Sequence, residues 1–179
     1  MIEGGKGGAT TNKHGLAFES RVDLRKVFDK LKGYEVKEND LYFSGKLVAK
    51  FYKKYGLYSR LLSEKKIDYE KIISKKLLPD ETIFVLKNET LYIIEMKFQK
   101  VSGSVDEKLQ TCDFKKKQYT KLLGKAQIKV KYIYILNDWF KKPEYKDVLD
   151  YVKSVGCDYY FENLPFSVLD LPEPFEESN

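Results

Sequence analysis

The sequence predicts an α/β domain in which a mixed central sheet is flanked by helices. Three observations carry this expectation. The runs TIFVL at 82–86 and LYIIEMKF at 91–98 are rich in β-branched and aromatic residues, and the turn-forming KNET separates them; this is the pattern of an antiparallel hairpin. A helical stretch at 105–123 then leads to the apolar run KVKYIYIL at 129–136, the order of a parallel crossover. Hydrophobic residues make up 42% of the 179 residues and aromatic residues 15%, enough to fill one core and unlike a disordered chain.

The remaining elements follow in chain order. Residues 15–32 read as a helix, with Leu24, Val27, Phe28 and Leu31 on one face and Gly33 at its end. LYF at 41–43 and KLVAKFY at 46–52 read as strands joined through Ser44-Gly45. Short helices are expected at 57–64 and 68–76, the second capped by Asp68. Ser104 and Glu107 form a capping box. The helix it opens carries Val105, Leu109, Cys112, Tyr119 and Leu123 on its apolar face, and Gly124 stops it. Pro143 to Val155 is a further helix ending at Gly156, and CDYYF at 157–161 a last strand. Residues 1–14 read as a flexible basic arm, 15–170 as a single domain and 171–179 as an acidic tail.

Composition narrows the function classes. No apolar run has the roughly 18 residues of a membrane span, and the N-terminus lacks a signal-peptide core. A cytoplasmic protein with no membrane partner is the expectation. Cys112 and Cys157 are too few for a disulfide framework, and a single histidine, His14, supplies no zinc cluster. The net charge is +6, yet the last nine residues carry three Glu and no base. The rest therefore carries +9, which suits a partner rich in phosphate. Lysine dominates that charge, with only Arg21, Arg25 and Arg60 as arginines. Lysine is a point charge suited to phosphate, whereas arginine is the better bidentate reader of bases.

The chemistry concentrates at the central hairpin. Residues i and i+2 of a strand share a face, so Glu95 and Lys97 project together. Pro79-Asp80 opens the neighbouring strand, and a turn centred near 88–89 puts residue 80 roughly opposite residue 97. Carboxylate oxygens are hard ligands that suit Mg²⁺, which also takes phosphate oxygens. An ammonium beside them can orient water or stabilise developing charge. That combination suits hydrolysis of a phosphodiester. The acidic-x-Lys triplet alone means little, because the chain contains six, at 35, 64, 95, 106, 113 and 144. Only the one at 95 follows a buried-type strand and faces a Pro-Asp.

Pro79-Asp80 with Glu95-Met96-Lys97 resembles the signature of the PD-(D/E)xK nucleases, and the predicted order over 15–136 is similar to their αβββαβ core. The segments Gly7–Glu19 and Gly103–Asp113 look like those of small Type II restriction endonucleases. The resemblance implies a sequence-specific, Mg²⁺-dependent endonuclease with one or two ions per site. Asp80 and Glu95 would be metal ligands and Lys97 the catalytic lysine; Glu19 would be a further site acid or a plain surface residue. Duplex cleavage implies a homodimer on double-stranded DNA, and restriction implies a cognate methyltransferase acting on the same sequence. Lys100, Ser104 and Lys108 would hold the DNA backbone near a helix N-terminus, with Asn12 and Lys13 contributing from the arm. Gln110 would reach the metal site or a base, or else face solvent. Lys115-Lys116-Lys117 reads as a phosphate track or a solvated face. A structure-specific nuclease, such as a junction resolvase or repair nuclease, would use the same chemistry. A non-catalytic DNA-binding module is disfavoured because all three site residues are present.

Overall fold

The computed structural model describes residues 11–12, 15–18, 23–101, 103 and 105–176. Its centre is a seven-stranded sheet. In chain order the described elements are β1 (Thr11–Asn12), β2 (Gly15–Ala17), α1 (Leu24–Phe28), β3 (Tyr34–Lys37), β4 (Asp40–Phe43), β5 (Lys46–Phe51), a π-helix (Leu57–Leu62), a 3-10 turn (Tyr69–Lys71), β6 (Glu81–Val85) and β7 (Thr90–Lys97). There follow α2 (Val105–Leu109), α3 (Cys112–Leu123), β8 (Lys129–Leu136), α4 (Lys146–Ser154), β9 (Asp158–Phe161), β10 (Asn163–Pro165) and α5 (Phe166–Leu169). The sheet runs β3-β4-β5-β6-β7-β8-β9. Its pairs are antiparallel up to β7 and parallel from β7 to β9. The expected mixed sheet with flanking helices is therefore the observed architecture.

Strand alternation sorts the core into two layers. Phe84, Leu91, Ile93, Tyr132, Tyr134 and Leu136 face α3, α4 and the π-helix. Ile83, Val85, Tyr92, Ile94, Ile133 and Ile135 face α1, β2 and α5. Covered on both sides, β6 is buried along its whole length, and β7 up to Met96. This explains why their sequences are continuous apolar runs rather than alternating ones. The Ser44-Gly45 turn forms as expected, both residues taking the left-handed conformation.

Several expectations give way. Among the described residues, the helix expected over 15–32 is Leu24–Phe28, capped by the Asp23 carboxylate. Its apolar face is buried as expected, but Gly15–Ala17 is instead a strand, paired with β1 and β10. Leu16 has no exposure, and sheet pairing rather than helix formation satisfies the backbone there. Asn12, within the expected arm over 1–14, pairs with Gly15. The stretch 68–76 forms one 3-10 turn after the Asp68 cap. The single helix over 105–123 breaks at Gln110-Thr111 into α2 and α3. Within the expected acidic tail, the described residues 171–176 pack on the domain: Leu171 is buried, the Phe175 amide donates to Lys32 O, and the Phe175 ring packs on Phe43. β3 and β10, too short for a clear periodicity, went unpredicted. Cys112 and Cys157 are buried free thiols, as expected.

Ile133 sits at the centre of this frame, fully buried and paired on both sides. Ile133→Ala is expected to cost about 2–5 kcal/mol of unfolding free energy. Urea denaturation measures it, and a loss under about 1 kcal/mol would contradict tight packing of this layer.

Candidate active site

The β6–β7 hairpin brings the three expected residues together. Pro79 is buried, and its carbonyl accepts from the Lys54 amide at 3.2 Å. That bond pins the residue before Asp80 against the chain leaving β5. The ladder pairs Glu81 with Ile94 and Val85 with Thr90, so its continuation sets Asp80 opposite Glu95 rather than Lys97. The correction comes from the turn. Leu86 lies in the loop, not the strand, and Glu89 takes a left-handed conformation at φ 50°. The loop centre thereby shifts toward the N-terminus, and a shift of one residue in the centre moves the register by two.

One ammonium bridges the two carboxylates. Lys97 Nζ lies 2.8 Å from Glu95 Oε2 and 3.7 Å from Asp80 Oδ2. The side chains run from closed to open: Glu95 is 5% exposed, Lys97 13% and Asp80 42%. A buried charge is stable only when paired, and Glu95 has a second partner. Lys115 of α3 places its Nζ 3.0 Å from Oε1 and 3.1 Å from Oε2. Burial pushes the Glu95 carboxyl up, but Lys97 and Lys115 outweigh it and hold the group below its ordinary value. The site is thus two carboxylates held by two ammoniums.

Three phenols wall it. Tyr119 follows Lys115 by one helical turn, and Tyr132 and Tyr134 come from β8. All three are buried, and burial together with the Glu95 charge raises their pKa values. They therefore stay neutral around Glu95. Tyr134 Oη donates to Lys108 O at 3.1 Å, tying β8 to α2. Gln99, two residues past Lys97, is buried with neither its Nε2 nor its Oε1 hydrogen-bonded. Its backbone is clamped by Asn137, which accepts from Gln99 N and donates to Gln99 O. Leaving a buried amide unpaired costs about 1–3 kcal/mol.

The other expected residues are more dispersed. Lys100 and Lys108 have exposed side chains. Gln110 is exposed and lines an open groove of about 740 Å³ with Glu144, Tyr145, Asp147, Val148 and Tyr151, beside α4 rather than the carboxylates. Lys13, Glu19 and Ser104 lie outside the described residues, and Asn12 is described only as a backbone partner of Gly15. Lys115 is the main omission of the sequence reading, since the Lys115-Lys116-Lys117 run looked solvated. Its neighbours turn elsewhere: half-buried Lys116 donates to Gly156 O, and exposed Lys117 pairs with Asp113. The available signal was spacing, because Cys112, Lys115 and Tyr119 fall on one helical face.

Mg²⁺ fits this donor set. Asp80 and Glu95 supply hard oxygens to one space, which a cationic nitrogen already occupies. Among the described residues no group of three or more His, Cys, Asp or Glu gathers to hold a metal ion. The remaining ligands would be water and substrate, which is how Mg²⁺ is usually held.

The pH dependence follows from Glu95. A carboxyl depressed in the folded state contributes stability that is present above its ordinary value of 4.5 and is lost as pH falls through the depressed value. In a Lys97→Met/Lys115→Met double variant only burial acts, so the folded-state value moves above the ordinary one. Unfolding free energy of that variant should then rise, not fall, as pH drops from 7 toward 5 (a window set by the ordinary range of carboxylates). Urea midpoints across this range test the sign, and parallel curves for wild type and variant would refute the assigned pairing.

No protein-family model, no curated protein and no solved structure matches the chain.

Proposed function

We propose that this chain is a Mg²⁺-dependent deoxyribonuclease with a PD-(D/E)xK-type active site. It hydrolyses phosphodiester bonds of double-stranded DNA at specific sequences, acting as a cytoplasmic homodimer in a restriction system. The observation that carries the reading is the bridge from Lys97 to both Glu95 and Asp80, at 2.8 and 3.7 Å, on the end of a buried hairpin. The succession α1, β5, β6, β7, α2–α3 and β8 supports it, because with β3, β4 and the helical turns between β5 and β6 set aside as additions it is compatible with the helix, three strands, helix, strand order of that core. The basic body supports a phosphate-rich substrate.

In this reading Asp80 and Glu95 hold Mg²⁺, which when bound neutralises charge on the phosphate and acidifies a water near it. Water oxygen forms the new bond to phosphorus and loses a proton to solvent, while the bond to the leaving ester oxygen breaks and that oxygen takes a proton from solvent. Lys97, anchored by Glu95, orients the attacking water and stabilises negative charge as it develops. The Tyr119, Tyr132 and Tyr134 wall keeps bulk water from Glu95, which strengthens these interactions.

Asp80→Ala and Lys97→Ala should each lower Mg²⁺-dependent cleavage of phage DNA by about 10²-fold or more while leaving DNA binding in place. Wild-type cleavage without a metal requirement, or variants that cut as well as wild type, would refute the reading. Discrete fragments from plasmids of varied sequence support site specificity. Preference for branched substrates would replace it with a structure-specific nuclease of the same chemistry.

A further inference from the structure

The position of Lys115 calls for explanation. Its ammonium spans both oxygens of Glu95, at 3.0 and 3.1 Å, while Lys97 takes Oε2 at 2.8 Å. Every Glu95 oxygen that could face a metal is therefore engaged by an ammonium. The two lysines differ in how they are held. Lys97 sits on β7 and also reaches Asp80, with its side chain 13% exposed. Lys115 extends from the first turn of α3, is 29% exposed and, among the described residues, pairs with Glu95 alone. Its backbone is fixed, since its amide donates to Thr111 O at 3.1 Å and Tyr119 is packed one turn along the helix. Its four-carbon stem is free to swing the charge several ångströms without moving the helix.

We propose that Lys115 is a second catalytic lysine that exchanges partners: it holds Glu95 in the metal-free protein and moves to a non-bridging phosphate oxygen of DNA when a divalent cation takes Glu95. The proposal rests on the nuclease reading above. Electrostatics gives the exchange its direction. A divalent cation and two ammoniums cannot all sit at one buried carboxylate without strong repulsion, and Lys115, which lacks the second anchor that Asp80 gives Lys97, is the one displaced. The displaced ammonium then needs an anion, and the anion nearest the reaction is the phosphate. Cation binding and DNA binding must consequently favour each other, because each removes Lys115 from the partner it would otherwise hold. The same exchange keeps Glu95 paired, and so keeps the fold from burying a lone charge, whenever metal is absent.

The test measures Mn²⁺ binding to the full chain by paramagnetic resonance, with and without a short synthetic DNA duplex. Wild type, Lys115→Met, Lys115→Gln and the surface control Lys117→Met are compared. Both Lys115 variants should bind Mn²⁺ about tenfold more tightly than wild type in the absence of DNA. The duplex should tighten Mn²⁺ binding to wild type and Lys117→Met by at least several-fold, with that gain largely lost in both Lys115 variants. Unchanged or weaker Mn²⁺ binding by the folded Lys115 variants, or an undiminished gain from DNA, overturns the exchange while leaving the nuclease reading standing. A wild-type protein that binds no Mn²⁺, or binds it as well after Asp80→Ala, overturns both.

Discussion

A carboxylate buried at the end of an apolar sheet is the constraint around which this molecule is arranged. Glu95 follows Leu91, Tyr92, Ile93 and Ile94 on a strand covered from both sides. An ionised group there is tolerable only with counter-charges held in place. Two are supplied, one from its own strand and one from α3. The helix therefore does more than cover the sheet. Its register along β7 and β8 is fixed by Tyr119, Leu122 and Leu123 in the core, and that register brings Lys115 to the carboxylate. Packing and electrostatics select the same arrangement, which is the internal agreement expected of a sequence that specifies one fold.

The sheet changes from antiparallel to parallel at β7, and the site lies at that change. On one side the hairpin turn sets Asp80 against Glu95. On the other the crossover through α2 and α3 must rise from the end of β7, pass over the sheet and descend into β8. The chain leaving Lys97 and the helix arriving over Glu95 are hence parts of one connection. Its start is held by the clamp between Asn137 and the Gln99 backbone, and its middle by the bond from Tyr134 to Lys108. The break at Gln110-Thr111 lets α2 lean toward α4 while α3 stays on the sheet.

What the sequence made legible depended on the length of each signal. β6, β7 and β8 are long apolar runs between clear turns, and their pairing could be read almost to the residue. The juxtaposition of Asp80, Glu95 and Lys97 followed from that pairing. The register slipped by two because one residue, Leu86, carries strand-like character but belongs to the loop. β2 has three residues and acquires its identity from β10, which lies far along the chain; no local pattern could reveal that partner. Lys115 was hidden for a different reason. Three consecutive lysines on a helix look alike in composition; the spacing of Cys112, Lys115 and Tyr119 marks the one on the apolar face, and the tertiary position of Glu95 gives it a partner.

Glu81 sharpens the contrast with the residue before it. Asp80, just before β6, meets Lys97, whereas Glu81, the first residue of β6, meets Lys53. Glu81 is 4% exposed and takes Lys53 Nζ at 2.5 Å, with Lys53 also 3.8 Å from Asp23, the residue that caps α1. Burial raises its carboxyl pKa more than Lys53 lowers it. That cluster ties β6 to the entry of α1, and its acid is closed off from solvent. Asp80, which among the described residues meets one ammonium, at 3.7 Å, is 42% exposed. Two successive acids at one strand end thus have different fates, set by what each meets. A closed, paired carboxylate stabilises the fold, whereas a half-open one beside Glu95 leaves oxygen lone pairs free for an incoming cation.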